Sequence, residues 1–351
     1  MTGDLARREA ERAAMTRALK LAQSPGVPLG PNPRVGCVII APDGMTIAEG
    51  FHRGVGSPHA EVDALSRAGD RARGATAVVT LEPCNHTGRT GPCAQALVRA
   101  GVARVVYAQA DANPVAQGGA QTLREAGVEV EAGLLGDVAR AVNPAWTFAV
   151  EHGRPFVTWK FATTLDGRSA AADGTSRWVS SRPARRDTHR LRAACDVILA
   201  GTGTVLVDDP ELTVRDDEDV NLPRWLQPLR AVMGLRDVPP NRRVCNDAAE
   251  TVALRTRDPQ SALSDLFARD RQHVFLEGGP TLAASFVTEG LVDEVVAYVA
   301  PMLLGAGLSS VGPLGIETIA DALLLDVTDV CTLGTGAETN VRLTMRPTRR
   351  P

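Results

Sequence analysis

The sequence predicts two consecutive α/β domains, the first built in three layers. Three observations lead there. A chain of 351 residues exceeds what one hydrophobic core ordinarily holds. Short β-rich runs alternate with helical ones in both halves, the pattern of a sheet covered by helices. A group of breakers, Asn143-Pro144 and Gly153-Arg154-Pro155, interrupts that alternation near the middle.

The first half opens on an amphipathic helix of mixed charge, MTGDLARREAERAAMTRALKLAQ. Strands are expected at RVGCVIIA, TIAEGFH, ATAVVTLEP, ARVVYAQA and VEVEAGLL, where β-branched and apolar residues dominate. Helices are expected at HAEVDALSRAGDRA, GPCAQALVRAG and GAQTLREAG, each closing near a glycine. A linker over residues 147–155 then separates a first domain (1–150) from a second (154–351). In the second, FVTWKFATT, DVILAG, LRAVMG, TVALRT, HVFLEGG and EVVAYVAP read as strands. RPARRDTHRLRAAC and PTLAASFVTEG read as helices, and LDVTDVCTLG with NVRLTMRP as a closing antiparallel pair. The acidic, proline-broken DDEDVNLPRW (residues 216–225) is a surface loop.

Composition narrows the classes of function. Hydrophobic residues make up 44% and charged residues 23%, a globular balance. A net charge of −3 and a pI near 6.1 give no basic footprint for nucleic acid, and none is expected as a partner. No apolar run approaches the roughly 20 residues that span a bilayer, and the amino terminus lacks the apolar core of a signal peptide. Six scattered cysteines then suit a cytoplasm with reduced thiols.

The chemistry concentrates in TLEPCNHTGRTGPC, residues 80–93, which places Cys84 and Cys93 nine positions apart. That gap does not match the short spacing of a zinc ribbon. Upstream, SPHAEVDAL sets His59 and Glu61 two apart at the start of a helical pattern. His59, Cys84 and Cys93 supply three soft or borderline zinc ligands and leave a fourth position for water. Glu61, beside the metal but not on it, can take a proton from that water and pass it to a leaving amine. His-x-Glu followed by Pro-Cys is the order found in zinc nucleobase deaminases. Cys37, Cys195, Cys245 and Cys331 are assigned to packing. In the second half, Glu277-Gly278-Gly279-Pro280 joins a strand to a helix, where glycines let backbone amides approach a phosphate. Gly201-Thr202-Gly203 lacks the third glycine of a dinucleotide fingerprint and reads as a turn.

PNPRVGCVI, HAEV and TLEPCNHTGRTGPC together resemble the deaminase half of the bifunctional riboflavin-biosynthesis deaminase–reductases. KFATTLDGR, SRWVS, RRDTHRLRAACDVILAGTGTVLVDDPELTVR and LEGGPTLAASF resemble, in order, their reductase half. The resemblance covers roughly residues 10–345. It implies a cytidine-deaminase-like first domain and a second domain similar to dihydrofolate reductase that uses NADPH. It implies one zinc per chain and a small pyrimidine ribose-phosphate substrate, with Asn32, His52, His86 and Arg89 facing it. In the reductase half it places Ala162, Trp178, Thr204, Asp208 and the turn Gly279, Pro280, Thr281, Leu282, Ala283, Ala284 and Ser285 against NADPH. Ser176, Arg192, Leu212, Arg215 and Glu277 are then substrate contacts, with Arg192 and Arg215 as forked phosphate anchors. The chain departs from the family where an apolar strand usually ends in aspartate: here Gln227-Pro228-Leu229-Arg230 runs on to Gly234, and no cofactor contact is assigned to that strand's end.

The expected activity is therefore zinc-dependent hydrolytic deamination of a diaminopyrimidinone ribosylamino phosphate, followed by NADPH-dependent reduction of the ribosyl group to a ribityl chain. Residues for proton donation in the second step are not evident from sequence. The rival reading is a zinc nucleoside or tRNA deaminase fused to a non-catalytic ligand-binding domain; the tRNA form is disfavoured by an aromatic content of 4%. A structural zinc module is the non-enzymatic alternative. A homo-oligomer is expected.

Overall fold

The apolar runs of the first half become the central strands of one sheet, buried on both faces. The computed structural model describes residues 2–27, 30–86 and 91–348, and the chain divides into two units, Met1–Gly153 and Arg154–Pro351. The first unit runs α1 (Thr2–Ala22), β1 (Gly36–Ile40), β2 (Thr46–Phe51), α2 (Ala60–Ala68), β3 (Thr76–Leu81), α3 (Cys93–Ala100), β4 (Arg104–Gln109), α4 (Gly119–Glu125), β5 (Glu129–Ala132), α5 (Gly136–Arg140) and α6 (Pro144–His152). Its five strands take the order β2-β1-β3-β4-β5. β1 is antiparallel to both neighbours, whereas β3, β4 and β5 are parallel.

Alternation along β1 explains the three layers. Cys37 and Ile39 face a core shared with Ala60 and Ala64 of α2, Leu97 of α3 and Leu123 of α4. Val38 and Ile40 face the opposite core, with Met15, Ala18 and Leu19 of α1. Sheets covered on both sides need such unbroken apolar strands. Gly50 sets the spacing between β2 and α2. A Cβ there would lie 2.4 Å from the Ala60 carbonyl oxygen, so only glycine lets the helix start so close to the strand.

The second unit runs β6 (Phe156–Thr164), α7 (Arg182–Ala193), β7 (Val197–Gly201), α8 (Thr202–Asp208), β8 (Leu229–Met233), β9 (Thr251–Leu254), α9 (Pro259–Ala268), β10 (His273–Leu276), α10 (Pro280–Thr288), β11 (Glu294–Ala300), β12 (Leu325–Leu333) and β13 (Asn340–Pro347). Its eight strands are ordered β12-β13-β11-β6-β10-β7-β8-β9. Six are parallel, from β11 to β9, and the expected antiparallel pair β12–β13 closes the sheet on β11. α9 and α10 bury Leu263, Leu266 and Phe286 on one face. On the other, α8 packs Val205 against Ile198 and Val232, and α7 packs Ala184 against Val296 and Tyr298.

Four features differ from the sequence reading. The linker placed at 147–155 is largely helix α6: its Pro144 occupies the first turn and Gly153 the left-handed cap, so the breakers are helix ends. Gly201-Thr202-Gly203, read as a turn, instead opens helix α8, which is stabilised by burial of Thr202 and Val205. α9, not recognised in the sequence, is capped by Asp258, whose carboxylate accepts from the Gln260 and Ser261 amides. Finally, Cys245 is exposed and Cys331 half-exposed, so neither serves core packing, whereas Cys37 and Cys195 are buried.

Candidate active sites

In the first unit, the chain ends of β3, α2 and α3 converge on three donor atoms. His59 precedes α2 with extended backbone and no capping hydrogen bond, which leaves its ring free to turn inward. Cys84 lies just beyond β3, and Cys93 is the first residue of α3. His59 Nδ1 is 3.5 Å from Cys84 Sγ and 3.3 Å from Cys93 Sγ. All three donors lie within 4.8 Å of one another. Tetrahedral zinc with ordinary Zn–N and Zn–S bonds separates neighbouring ligands by about 3.6 Å, so the donor set fits that ion in both chemistry and spacing. The Cys93 thiol, hydrogen-bonded to Cys84, pulls the Cys84 thiol below its ordinary range, toward the thiolate form a metal requires.

Glu61, on the first turn of α2, is 4% exposed. Burial and the neighbouring Cys84 sulfur push its carboxyl up to about 7, the range in which a group both accepts and returns a proton. His52 stands edge-on to His59, ring centroids 5.4 Å apart. Its Nδ1 lies 3.0 Å from the Pro58 carbonyl, which makes Nδ1 the donor and leaves Nε2 to accept from the Asn32 amide at 3.0 Å. Asn32, His52, His59, Glu61, Cys84 and Cys93 thus form one constellation. His86 lies two residues beyond Cys84, and its buried Nδ1 has no hydrogen-bond partner among the described residues. Arg89 lies outside the described residues.

Residues that no motif singles out hold the Cys84 segment. Glu82 is buried, accepting from the backbone amides of Asp111 at 3.3 Å and Ala120 at 3.1 Å. The Asn85 amide donates to the Ala116 carbonyl at 2.9 Å, and Ala94 to Cys84 at 3.2 Å. Gly119 opens α4 against this segment, where an added Cβ would lie 1.7 Å from the Pro83 carbonyl oxygen.

The second unit carries a cleft of about 690 Å³ lined by Ser176, Trp178, Arg192, Asp208, Leu212, Arg215 and Glu277. These seven predicted residues are brought together from five stretches of chain. Glu277 follows β10 and forks with Arg192 of α7, Nη2 to Oε2 at 2.9 Å, while Arg192 Nη1 donates to the Thr213 carbonyl at 2.7 Å. Burial works to raise the Glu277 carboxyl, but the Arg192 guanidinium, helped by Lys160, prevails and holds it at about 2. Arg215 is paired with Glu211 at 2.9 Å and Asp219 at 3.2 Å. The two arginines expected to anchor a phosphate therefore already hold carboxylates.

Three residues lining this cleft were not found by sequence reasoning. Lys160, on β6, has its ammonium pushed down by burial against the opposing pull of Glu277. His189, pushed down to about 4 by burial and by Arg192, accepts the Arg215 amide at 3.1 Å. Arg185 lies over the Trp178 ring at 4.2 Å and has no carboxylate within salt-bridge distance among the described residues. A signal for the first existed: Lys160 is one of two lysines in the chain, and it sits inside an apolar strand.

Of the expected cofactor residues, Trp178 and Asp208 line this cleft. Thr204 on α8 accepts from the Gly279 amide at 3.2 Å, joining α8 to the turn before α10. Ala283 and Ala284 are buried on α10, so that helix offers a ligand the backbone of its first turn rather than these side chains. Ala162 lies on β6 and packs with the cluster around Tyr298.

Comparison with known proteins places both halves. Residues 155–338 match the RibD C-terminal domain, and residues 8–109 match the cytidine and deoxycytidylate deaminase zinc-binding region. The riboflavin biosynthesis protein RibD of Mycobacterium tuberculosis is 51% identical over 294 residues, covering 84% of this chain and 86% of its own length. The chain belongs to the RibD family. The RibD protein of Escherichia coli is 42% identical, with 88% of this chain and 92% of its own length covered. Among solved structures, Acinetobacter baumannii RibD superposes with a TM-score of 0.87 at 37% identity, covering 97% of this chain and 99% of that one. A Thermotoga maritima diaminohydroxyphosphoribosylaminopyrimidine deaminase/5-amino-6-(5-phosphoribosylamino)uracil reductase gives 0.84 at 31% identity, covering 97% and 100%. As a member of the RibD family, the chain is a two-part deaminase and reductase of riboflavin biosynthesis, with a cytidine-deaminase-like first domain and a dihydrofolate-reductase-like second. The rival of a deaminase joined to a non-catalytic domain does not account for the RibD C-terminal match. No helix among the described residues is long and apolar enough to cross a membrane.

Proposed function

We propose that the first unit hydrolytically deaminates 2,5-diamino-6-(5-phosphoribosylamino)pyrimidin-4-one, and that the second reduces the ribosyl group of the product to a ribityl chain with NADPH. The observation that carries the first half is the buried Glu61 carboxyl beside the His59–Cys84–Cys93 donor set. Those three residues would hold one zinc ion per chain, which would supply the Lewis-acid chemistry for activating water. Glu61 takes a proton from that water and hands it to the nitrogen that leaves as ammonia. Asn32 and His52, held to each other, orient the pyrimidine, and His86 and Arg89 complete the ring and phosphate contacts.

In the second unit, Glu277, Arg192 and Lys160 form the charged floor of the substrate cleft. Ser176, Leu212 and Arg215 line it, and Trp178 and Asp208 border the cofactor. Ala162, Thr204 and the Gly279–Ser285 turn would seat NADPH, which would supply the hydride for reduction at C1 of the ribosyl group.

Incubation with the diaminopyrimidinone substrate separates the two halves when ammonia and the NADPH absorbance are followed independently. Ammonia is expected first, then NADPH loss in proportion to deaminated product. Zinc-loaded protein that released no ammonia would remove the first assignment, and unchanged NADPH absorbance with product present would remove the second.

The packing around Gly119 leads to a structural prediction. Gly119→Ala forces α4 away from Pro83, at a cost of about 3 kcal/mol, and drags the Cys84 segment with it. Zinc competition against a chromogenic chelator is expected to show weaker retention, with reduction of supplied deaminated substrate preserved. Wild-type zinc retention in that variant would show that Gly119 does not set the ligand position.

A further inference from the structure

Asn143 occupies the N-cap of α6, where an asparagine side chain ordinarily accepts from the first amides of its own helix. Here it makes no such capping bond. Its side chain is turned instead to Arg34, 109 positions upstream. Oδ1 accepts from the Arg34 amide at 2.8 Å, and Nδ2 donates to the Arg34 carbonyl at 2.8 Å. Asn143 is 8% exposed, so both bonds are shielded from water. One side-chain amide thus pairs with the N–H and C=O of a single residue, as a neighbouring strand would.

Arg34 ties down the segment that carries Asn32. Pro33 has no amide hydrogen, so Arg34 is the first residue past Asn32 whose N–H can be held. Its guanidinium donates from Nη2 to the Val27 carbonyl at 2.7 Å. Downstream, the His52 amide donates to the Val35 carbonyl at 3.0 Å, and the Gly36 amide to Thr80 Oγ1 at 3.1 Å. Asn32 and His52, whose side chains meet at 3.0 Å, are therefore linked a second time through the backbone that Asn143 fixes.

We propose that Asn143 is a positioning residue of the deaminase, holding the Arg34 backbone so that Asn32 meets the pyrimidine in the orientation set with His52. It has no hydrogen bond to His59, Glu61, Cys84 or Cys93 among the described residues, and acts on the reaction only through the segment it pins. Without it, the Arg34 amide and carbonyl lose the two bonds that fix them, and small displacements of orienting groups are costly in rate. The proposal rests on the reading of Asn32 and His52 as pyrimidine contacts.

The test is a double-mutant cycle on the zinc-loaded full chain: Asn143→Ala, Asn32→Ala and the pair, with ammonia release giving kcat and KM. Asn143→Ala is expected to lower kcat/KM for deamination about tenfold to a hundredfold, with zinc content and reduction of supplied deaminated substrate unchanged. In the Asn32→Ala background the same substitution should cost less than about twofold, because the group it positions is already gone. A side chain that merely stabilises the fold would add its full loss in either background. Asn143→Asp keeps the size and the bond from the Arg34 amide but sets a carboxylate against the Arg34 carbonyl. It is expected to repeat the pattern, and the cycle is read from it if Asn143→Ala does not fold. Wild-type kcat/KM in Asn143→Ala, an additive loss in the cycle, or zinc lost together with activity in both variants would overturn the proposal while the reading of Asn32 stands. Undiminished deamination by Asn32→Ala would instead overturn that reading, and this proposal with it.

Discussion

Glu61→Gln is expected to lose deamination by about a hundredfold to ten-thousandfold, to keep its zinc and to reduce deaminated substrate at the wild-type rate. The amide conserves the volume of a side chain that is 4% exposed, so the fold and the His59–Cys84–Cys93 donor set have no reason to shift. What it loses is a proton acceptor whose affinity burial has raised to the middle of the physiological range. Zinc content by atomic absorption, ammonia release and NADPH consumption measure the three claims separately. Retained deamination with bound zinc would pass the proton-shuttle role to another group.

That constellation was legible because its chemistry depends on residue types in a fixed order. His59 and Glu61 sit on one helix start, and Cys84 and Cys93 bracket one strand-to-helix passage, so short-range sequence carries most of the geometry. The strands were legible for a related reason: both sheets bury unbroken apolar runs such as GCVII and VILAG. Helix α8 was not, because Thr, Gly and Val disfavour helix locally and its stability comes from packing on β7 and β8. The breakers around α6 misled because proline and glycine mark helix ends as readily as linkers. Least legible was the reductase cleft, where Arg192 meets a carboxylate 85 positions away. No local pattern states whether an arginine faces a phosphate or a glutamate.

That last point makes Arg192→Met the sharpest test of the second unit. The Arg192–Glu277 pair is little exposed, 14% and 13% at the side chains. Breaking such a pair from one side costs about 3–5 kcal/mol, because the remaining charge stays buried. Lys160 is left as the remaining cation beside Glu277, and burial, no longer opposed by the fork, drives the carboxyl upward. The sign of the pH effect follows. In wild type the depressed Glu277 contributes stability that is present above its unfolded value near 4.5 and lost as pH falls through about 2. In the variant the carboxyl is raised, so its ionisation opposes folding, and the gap to wild type should be wider at pH 7 than at pH 4.5 in guanidinium melts of the second unit. Reduction should fall by at least about a hundredfold, with deamination unchanged. The division between kcat and KM then identifies the role of Arg192. A fall in kcat with little change in KM makes it the positioning group for Glu277. A rise in KM at wild-type kcat makes it the phosphate anchor that the resemblance implied. The observed fork favours the first, since both guanidinium edges that would grip a phosphate are already occupied by Glu277 and the Thr213 carbonyl.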